Sequence, residues 1–292
     1  MSELVDLFDH PPLHEPVLIL GLPGWIDAGN SAANAVGSLL SDDDSELVAN
    51  FDTDVLLDYR ARRPIMSLDE GFITELSWPA IELRARVDEQ GRHVLVLSGA
   101  EPDHAWGAFA STVVDTALDL GVRMVIGLGA YPAPVPHTRE TNLAMTSPSR
   151  ELLDSFTGFV RGSVEVPGGI QTAIEVAAHE AGIPSLGLWS QVPHYISGLS
   201  FQPGSIALLD GLQRVAGLSF STTALALEAE ATNRQINELV ESNSQHQAMV
   251  RQLEEIWDSS DLRTGLGPLP TGDELADELQ AFLRDQRPDS GG

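Results

Sequence analysis

The stretch VLILGLPGWIDAGNSAANAVGSLL, residues 17–40, joins a short apolar run to a segment of small residues through a glycine-containing loop. The run 17–20 lies between Pro16 and Gly21 and is apolar throughout, which is typical of a strand buried on both faces. Asp27 precedes the small-residue segment and is placed to cap a helix there. The stretch therefore predicts a strand, a tight turn and a helix.

The same order of strand and helix recurs along the chain. Further apolar runs predict strands at 93–99, 123–130 and 184–190, with helices predicted from about His104 to Leu120 and over 168–182. Strands that alternate with helices at this spacing favour a parallel sheet covered on both faces. The expected fold class is therefore a three-layer α/β/α protein with a mostly parallel sheet.

The remaining segments interrupt or extend this core. Residues 46–87 read as an antiparallel insertion, with 72–78 and 80–87 expected to form a hairpin around Pro79. We thus assign an α/β core to 1–220, a helical segment to 221–260, and an acidic linker, short helix and tail to 261–292.

The helical segment has an apolar seam with heptad spacing that runs from Leu225 to Trp257. Asn243 and His246 place polar groups in the middle of that seam. We therefore expect two helical halves, about 223–240 and 247–257, with the second half folding back on the first or reaching a neighbouring subunit.

Composition excludes several classes of function. The formal net charge is −27, with 43 acidic residues against 16 basic ones, so binding to nucleic acid or to an anionic membrane surface is not expected. The chain contains neither lysine nor cysteine, which excludes a Walker lysine, a Schiff-base lysine, disulfides and thiolate metal sites. We expect a cytoplasmic protein without a membrane span.

Loops rich in polar and aromatic residues follow four of the predicted strands. Ligands of open parallel sheets bind outside the carboxyl ends of the strands, where such loops converge. The candidate ligand or partner residues are Trp25, Asp27, Glu101, Asp103, Trp106, Tyr131, His194 and Tyr195. The candidates for catalysis are His104, His137 and Arg139.

None of these loops carries a known cofactor or metal motif. The dinucleotide fingerprint needs three glycines in the order G-x-G-x-x-G, and Leu22 and Pro23 occupy the middle of the first loop. Its glycines, Gly21, Gly24 and Gly29, are instead expected to serve a structural turn. The chain has no G-x-S-x-G elbow and no tight H-x-x-x-H or H-x-H spacing, so neither a cofactor nor a metal is expected.

The motifs in order resemble the proteasome assembly chaperone 2 family, in its branch of single proteins from GC-rich bacteria. The resemblance is carried by GLPGWIDAGNSA (21–32), ELSWPAIEL (75–83), VLVLSGAEPDHAW (94–106), IGLGAYPAPVPHTR (126–139) and the segment 168–198. It implies an α/β/α fold related to nucleoside phosphorylases and hydrolases, and a homo-oligomer.

Two functional hypotheses follow. In the first, the chain is a non-enzymatic, assembly-chaperone-like or protein-interaction protein that forms a homo-oligomer, with a trimer favoured, and binds a protein partner of unknown identity. In the alternative, it is a phosphorylase- or hydrolase-like enzyme in which Arg139 or a set of loop N–H groups binds an anion and His104 or His137 transfers a proton.

Overall fold

A computed structural model describes residues 4–41 and 44–259 of the chain. The strands are β1 (Val5–Leu7), β2 (Val17–Gly21), β3 (Glu46–Phe51), β4 (Ile65–Asp69), β5 (Phe72–Ser77), β6 (Ile81–Val87), β7 (His93–Gly99), β8 (Met124–Ala133), β9 (Leu143–Thr146) and β10 (Ser185–Pro193). The helices are α1 (Ser31–Leu40), α2 (Thr53–Leu56), α3 (Trp106–Asp119), α4 (Arg150–Asp154), α5 (Ile170–Glu180), α6 (Gln202–Ala216), α7 (Thr223–Glu241) and α8 (Ser244–Ser259).

Eight strands form one mixed sheet in the order β1-β3-β6-β7-β2-β8-β10-β9. The four central strands, β7, β2, β8 and β10, are parallel to one another. The outer strands pair antiparallel, at β1 with β3, β3 with β6, β6 with β7, and β10 with β9. The predicted α/β class is therefore confirmed, but the sheet is mixed rather than mostly parallel. Its four central strands are parallel, and the strand pairs on both flanks are antiparallel.

Both faces of the sheet are covered, as the continuous apolar run at 17–20 predicts. Leu18 and Leu20 face a core that contains residues of α3 and α5, while Val17 and Ile19 face a second core with residues of α1 and α6. All four side chains are almost completely buried. A central strand with helices on both sides needs no polar face, and this explains why its sequence does not alternate.

The insertion at 46–87 is antiparallel, but its strand pairs differ from the prediction. Strand β5 pairs with β4, a strand the sequence analysis missed, whereas β6 joins the main sheet between β3 and β7. Residues Glu70 and Gly71 connect β4 to β5, both with positive φ (47° and 87°), as a type I′ hairpin turn requires. The predicted pairing of 72–78 with 80–87 is therefore wrong, because the tight turn lies at Glu70–Gly71 and not at Pro79.

The C-terminal helical segment breaks where the polar residues of its seam predict. Helix α7 ends at Glu241 and α8 begins at Ser244, and the two helices contact each other. The apolar seam is buried in both halves: Leu225 and Ile236 in α7, and Leu253 and Trp257 in α8, are each less than 10% exposed. The prediction of two halves with a fold-back is confirmed, and the linker, helix and tail predicted at 261–292 lie outside the described residues.

Among the described residues, none of the helices combines the length and the apolar character that crossing a membrane requires.

Candidate functional site

The four strand-end loops lie at one edge of the sheet. Because β7, β2, β8 and β10 are parallel, the loops that follow them emerge on the same side, and this prediction is confirmed. The loops form two groups of side-chain contacts. One group joins the loops after β2 and β7, and the other joins the loops after β8 and β10 to helices α7 and α8. Backbone hydrogen bonds of 2.8 Å from Gly29 to Ser197 and from Phe201 to Gly29 also link the loop after β2 to the loop after β10.

The first group is held together by Glu101 and Trp25. The carboxylate of Glu101 accepts a hydrogen bond of 2.8 Å from the backbone N–H of Ile170, the first residue of α5. The indole N–H of Trp25 donates to the carbonyl of Pro167, at 2.9 Å, just before the same helix. A carboxylate at a helix N-terminus satisfies an otherwise unpaired N–H and interacts favourably with the helix dipole. Glu101 therefore serves α5 as a cap, while the Trp25 ring stays 55% exposed.

Asp27 caps helix α1, as predicted, although the helix starts later than predicted. A 3₁₀ turn over Ala28–Asn30 comes first. The two carboxylate oxygens of Asp27 then accept hydrogen bonds of 2.9 Å each from the backbone N–H groups of Ala32 and Ala33. Burial raises the pKa of Asp27, and these hydrogen bonds oppose that rise without cancelling it. Both carboxylate oxygens of Asp27 are therefore hydrogen-bonded to the first turn of α1.

Asp103 and its neighbours brace the base of the β4–β5 hairpin. The carboxylate forms an ion pair with Arg62 and accepts a hydrogen bond of 2.9 Å from the backbone N–H of Asp58. Burial would raise the pKa of Asp103, but the contacts with Arg62 and Asp58 outweigh it and lower the pKa. Trp106 donates its indole N–H to the carbonyl of Pro102 at 2.6 Å. His104 lies between Asp103 and Trp106 in the sequence, and its side chain is exposed.

In the second group of loops, His137 is buried in a chain of hydrogen bonds. Its Nε2 lies 3.0 Å from the amide oxygen of Asn237 in α7, and its Nδ1 lies 2.7 Å from the hydroxyl of Tyr195. Because an amide oxygen only accepts, Nε2 donates to Asn237, while Nδ1 and the Tyr195 hydroxyl share the second hydrogen bond. Burial raises the pKa of Tyr195 to about 12. His137 thereby ties the loop after β8 to the loop after β10 and to α7.

Arg139 binds the other C-terminal helix. Its guanidinium donates to both carboxylate oxygens of Asp258, at 2.9 and 2.7 Å, and lies 3.2 Å from Glu254, both in α8. These carboxylates raise the pKa of Arg139, the hydrogen bonds to Asp258 contributing most. The group proposed to bind an anionic substrate is thus occupied by two acidic side chains of the same chain.

Tyr131 and His194 also make contacts within the fold. The Tyr131 hydroxyl accepts a hydrogen bond of 2.9 Å from Gln191, and burial raises its pKa. His194 packs edge-on against Tyr195, with 5.4 Å between ring centres, and its Nδ1 lies 3.4 Å from the carbonyl of Ala133. The structure brings His137, His194 and Tyr195 together, and it leaves His104 in the other group of loops.

The glycines of the first loop allow neighbouring groups to approach the backbone closely. Gly29 has a φ of 63°, and a Cβ there would lie 2.6 Å from Cβ of Phe201. A Cβ at Gly21 would lie 2.5 Å from a methyl of Val36, and one at Gly24 would lie 2.9 Å from the Glu101 carboxylate. The positive φ is confined to Gly29; the other two allow close approach of neighbouring side chains.

Sequence reasoning missed a buried carboxyl on α5. Glu175 is 3% exposed and lies over the paired glycines Gly127 and Gly187 of β8 and β10; a Cβ on them would be 2.3 and 3.1 Å from its Oε1. Burial raises its pKa to about 8. The available signal was the glycine on each of two adjacent central strands, since such glycines mark sites where another group approaches the backbone closely.

Sequence reasoning also missed how far the β4–β5 hairpin stands out from the fold. Every residue of both strands is exposed, including Ile65, Met66, Leu68, Phe72, Ile73 and Leu76, which range from 46% to 73% exposed. Trp78, at its base, is 53% exposed and packs edge-on against Tyr59. The available signal was a pair of apolar runs separated by Glu70–Gly71.

Within the described ranges, no group of three histidine, aspartate or glutamate side chains is arranged to hold a metal ion.

Comparison with known proteins places these features in a family context. A family model described as the PAC2 family matches residues 21–240. No functionally curated protein matches the chain.

Solved structures resemble the chain over most of its length. A Mycobacterium tuberculosis protein of unknown function, Rv2714, is 34% identical, with a TM-score of 0.79 over 89% of this chain and 90% of that one. A Corynebacterium glutamicum protein of unknown function is 32% identical, with a TM-score of 0.82 over 88% and 97%. The M. tuberculosis proteasome-assembly chaperone homologue Rv2125 is 30% identical, with a TM-score of 0.73 over 80% and 99%.

Proposed function

We propose that this chain, which belongs to the PAC2 family, is a non-enzymatic, assembly-chaperone-like protein that acts by binding other polypeptide chains. The observation that carries the proposal is the β4–β5 hairpin, where six large apolar side chains are exposed within thirteen residues, more densely than in other parts of the described chain. Contiguous exposed apolar surface of this kind marks protein interaction sites.

The energetic argument concerns the hairpin side chains. Complete burial of a leucine, isoleucine, methionine or phenylalanine side chain is worth about 1.5–3 kcal/mol. Because those of the hairpin are about half exposed, covering the rest would contribute roughly 1 kcal/mol each. Isolated apolar side chains on a surface need no explanation, but Met66, Leu68, Ile73 and Leu76 pair across the two strands and form one contiguous apolar face of the hairpin.

A second line of support comes from the residues proposed for catalysis. His137 is hydrogen-bonded on both ring nitrogens, and Arg139 is paired with two carboxylates. Both connect the strand-end loops to the C-terminal helices, and this is a structural task. The alternative of a phosphorylase- or hydrolase-like enzyme would need these groups to release their partners before binding a substrate.

The family gives the proposal its direction. Rv2125, a relative at 30% identity, is described as a proteasome-assembly chaperone homologue. We extend an assembly role of that kind to this chain, with a homo-oligomer, favoured as a trimer, and a protein partner of unknown identity. The apolar side chains of the hairpin suit such a role because they can bind another polypeptide without a cofactor.

The test replaces two facing side chains of the hairpin. Leu68 pairs directly with Ile73 across the strands, and Leu68→Thr with Ile73→Thr places β-branched residues, which strands favour, at both positions while removing apolar surface. We expect the double variant to fold normally and to lose both its association with itself and its capture of partners from native extract. Leu227→Gln is the matched control, because Leu227 is 66% exposed on α7, away from the hairpin. Unchanged mass and unchanged capture in the double variant would refute the proposal.

A further inference from the structure

We propose that the polypeptide partner of the hairpin is basic, and that one of its arginine side chains enters a cavity at the base of the hairpin. This inference rests on the proposed function, because it names the chemistry of the chain that binds the same surface. It adds a second contact, a charge and a spacing to the apolar face formed by Met66, Leu68, Ile73 and Leu76.

The cavity lies where the hairpin joins the rest of the fold. Its volume is about 640 Å³, and its walls come from β1, β3, α2 and the residues that flank the hairpin on either side. A volume of this size lies within the range of ligand-binding clefts. The wall residues that matter for recognition are Asp6, Asn50, Asp52, Asp54, Tyr59 and Trp78.

Two aromatic rings form one wall of the cavity. The rings of Tyr59 and Trp78 pack edge-on, with 4.8 Å between their centres, and the Trp78 side chain is 53% exposed. The face of an aromatic ring attracts a cation within about 6 Å of its centre, and tryptophan does so most strongly. The planar guanidinium of arginine also stacks on such a face, whereas the ammonium of lysine does not.

Three carboxylates in the cavity wall lack a counter-ion. Asp6, Asp52 and Asp54 line the cavity, and in the described part of the chain none of them forms an ion pair. The exposed Arg60 and Arg63 precede the hairpin in sequence, but neither lines the cavity. A positively charged side chain of a partner would therefore supply the charge that this wall lacks.

Two further observations suit a cation that donates hydrogen bonds. The hydrogen bond with Thr53 acts to lower the pKa of Tyr59, but burial and the nearby Asp54 carboxylate raise that pKa overall, so the site disfavours further negative charge. Within the described chain, the buried amide oxygen of Asn50 accepts no hydrogen bond. An arginine side chain brings five N–H donors in one planar group, which can serve the carboxylates and the amide oxygen while stacking on an aromatic ring.

The position of the cavity sets the pattern expected in the partner. Leu76 and Ile73 of the apolar face precede Trp78 by two and five positions. Along an extended strand these separations are about 7 and 16 Å. A partner segment that lies along the hairpin should therefore carry apolar residues about two to five positions from its arginine. Asp69 and Glu70 at the far end of the hairpin and the net charge of −27 also favour the approach of a basic chain.

An array of synthetic peptides of random sequence tests the chemistry of the partner. The full-length chain is applied to the array, and we expect the bound peptides to be enriched in arginine close to apolar residues. Asp52→Asn with Asp54→Asn should lose the enrichment in arginine and keep that in apolar residues. This variant should fold normally, because Asp52 caps α2 and asparagine caps a helix equally well.

The control variant removes the same charge elsewhere. Asp115→Asn with Asp119→Asn neutralises two exposed carboxylates of α3, which do not line the cavity, and should select the same peptides as the wild type. An enrichment in arginine that came only from the net negative charge of the chain would fall equally in both double variants. The comparison therefore separates binding in the cavity from general attraction of basic peptides.

Affinities then measure the contribution of the arginine. The peptide that binds best is made with arginine and with citrulline, its uncharged isostere, and each form is titrated by fluorescence anisotropy. The arginine form should bind the wild type about tenfold more tightly, which is within the range of a desolvated cation–π contact. On Asp52→Asn with Asp54→Asn, and on Trp78→Leu, the two forms should differ much less.

Three results would overturn the inference: equal affinity of the two peptide forms for the wild type, an arginine preference that survives in Asp52→Asn with Asp54→Asn, or free arginine amide that binds as tightly as the peptide. Failure of the proposed function is distinguishable. If the wild type shows no arginine preference but Leu68→Thr with Ile73→Thr abolishes peptide binding, the proposed function stands and this inference fails. If the hairpin variant binds like the wild type and only the cavity variants lose the arginine preference, the cavity binds the partner and the apolar face does not.

Discussion

Glu175→Gln should stabilise the protein in a manner that depends on pH. The carboxyl of Glu175 is buried against Gly127 and Gly187 of the central strands, and its burial raises its pKa from 4.5 to about 8. Gln has nearly the same shape and carries no ionisable group. The substitution therefore removes the titration and leaves the packing on the glycines in place.

The sign and size follow from linkage. Between pH 4.5 and about 8 the folded chain holds a proton on Glu175 that the unfolded chain releases, so raising the pH lowers the free energy of unfolding over this window. Each pKa unit corresponds to about 1.36 kcal/mol, which gives about 3 kcal/mol at pH 7. The Gln variant has no group that titrates here, so its free energy of unfolding does not fall in this way. The difference in stability between Glu175→Gln and the wild type should be near zero at acidic pH and should grow as the pH approaches the pKa of Glu175 in the folded chain.

The assay is chemical unfolding of both proteins across this pH range, supported by melting temperatures. At neutral pH a difference of about 3 kcal/mol corresponds to roughly 5–10 °C in a chain of this size. Glu180→Gln, at the exposed end of the same helix, is the matched control and should run parallel to the wild type. If the stabilities of wild type and Glu175→Gln had the same pH dependence, the reasoning about a buried, unionised carboxyl would be refuted.

Three further predictions test the site. Gly29→Ala places a Cβ at positive φ and 2.6 Å from Phe201, so it should destabilise the fold by more than about 1 kcal/mol in urea unfolding. Gly37→Ala, in open space on α1, is the control and should not be destabilised in this way. Equal stability of the two variants would refute the tight-turn assignment. Arg139→Ala should accelerate amide hydrogen exchange in α8, because the side chain binds Asp258 and Glu254 of that helix. Exchange in α1 should stay at the wild-type rate. Unaltered exchange in α8 would show that these ion pairs do not stabilise the helix. Millimolar phosphate with a nucleoside should leave the melting temperature unchanged, and a rise that Arg139→Ala abolishes would favour the enzymatic alternative.

The sequence predicted the centre of the fold well because local pattern and burial agree there. The runs at 17–20 and 94–97 are apolar throughout, and both lie in parallel strands covered on two faces. The break between α7 and α8 was equally readable, since polar residues interrupt the apolar seam at Asn243. In both cases a short window of sequence contains the whole physical cause.

The flanking strands were less predictable because strand pairing is not local. Strand β6 alternates between buried and partly exposed residues, and nothing in 81–87 says whether its neighbour is β5 or β7. Strand β6 pairs with β7 rather than with β5, because this pairing places Ile81, Leu83 and Ala85 in the core. Strand β5 lies outside that core. The choice depends on residues far apart in the chain.

The loops that carry the candidate residues follow parallel strands and share one edge of the sheet, but the partners of these residues could not be foreseen. Nothing in the sequence indicates that Arg139 meets Asp258, or that His137 meets Asn237, about one hundred positions away. Glu175 was hidden for a related reason: an acidic residue within a helix normally faces solvent, and only the glycines on two other strands make its burial possible.

The native mass of the chain with and without its hairpin surface tests the central claim most directly. Light scattering on wild type, Leu68→Thr with Ile73→Thr, and the Leu227→Gln control should give an oligomer, a monomer and an oligomer, with circular dichroism unchanged in all three. A wild type that is monomeric at micromolar concentration and captures no partner through the hairpin, or a double variant that keeps the wild-type mass and partners, would contradict the account.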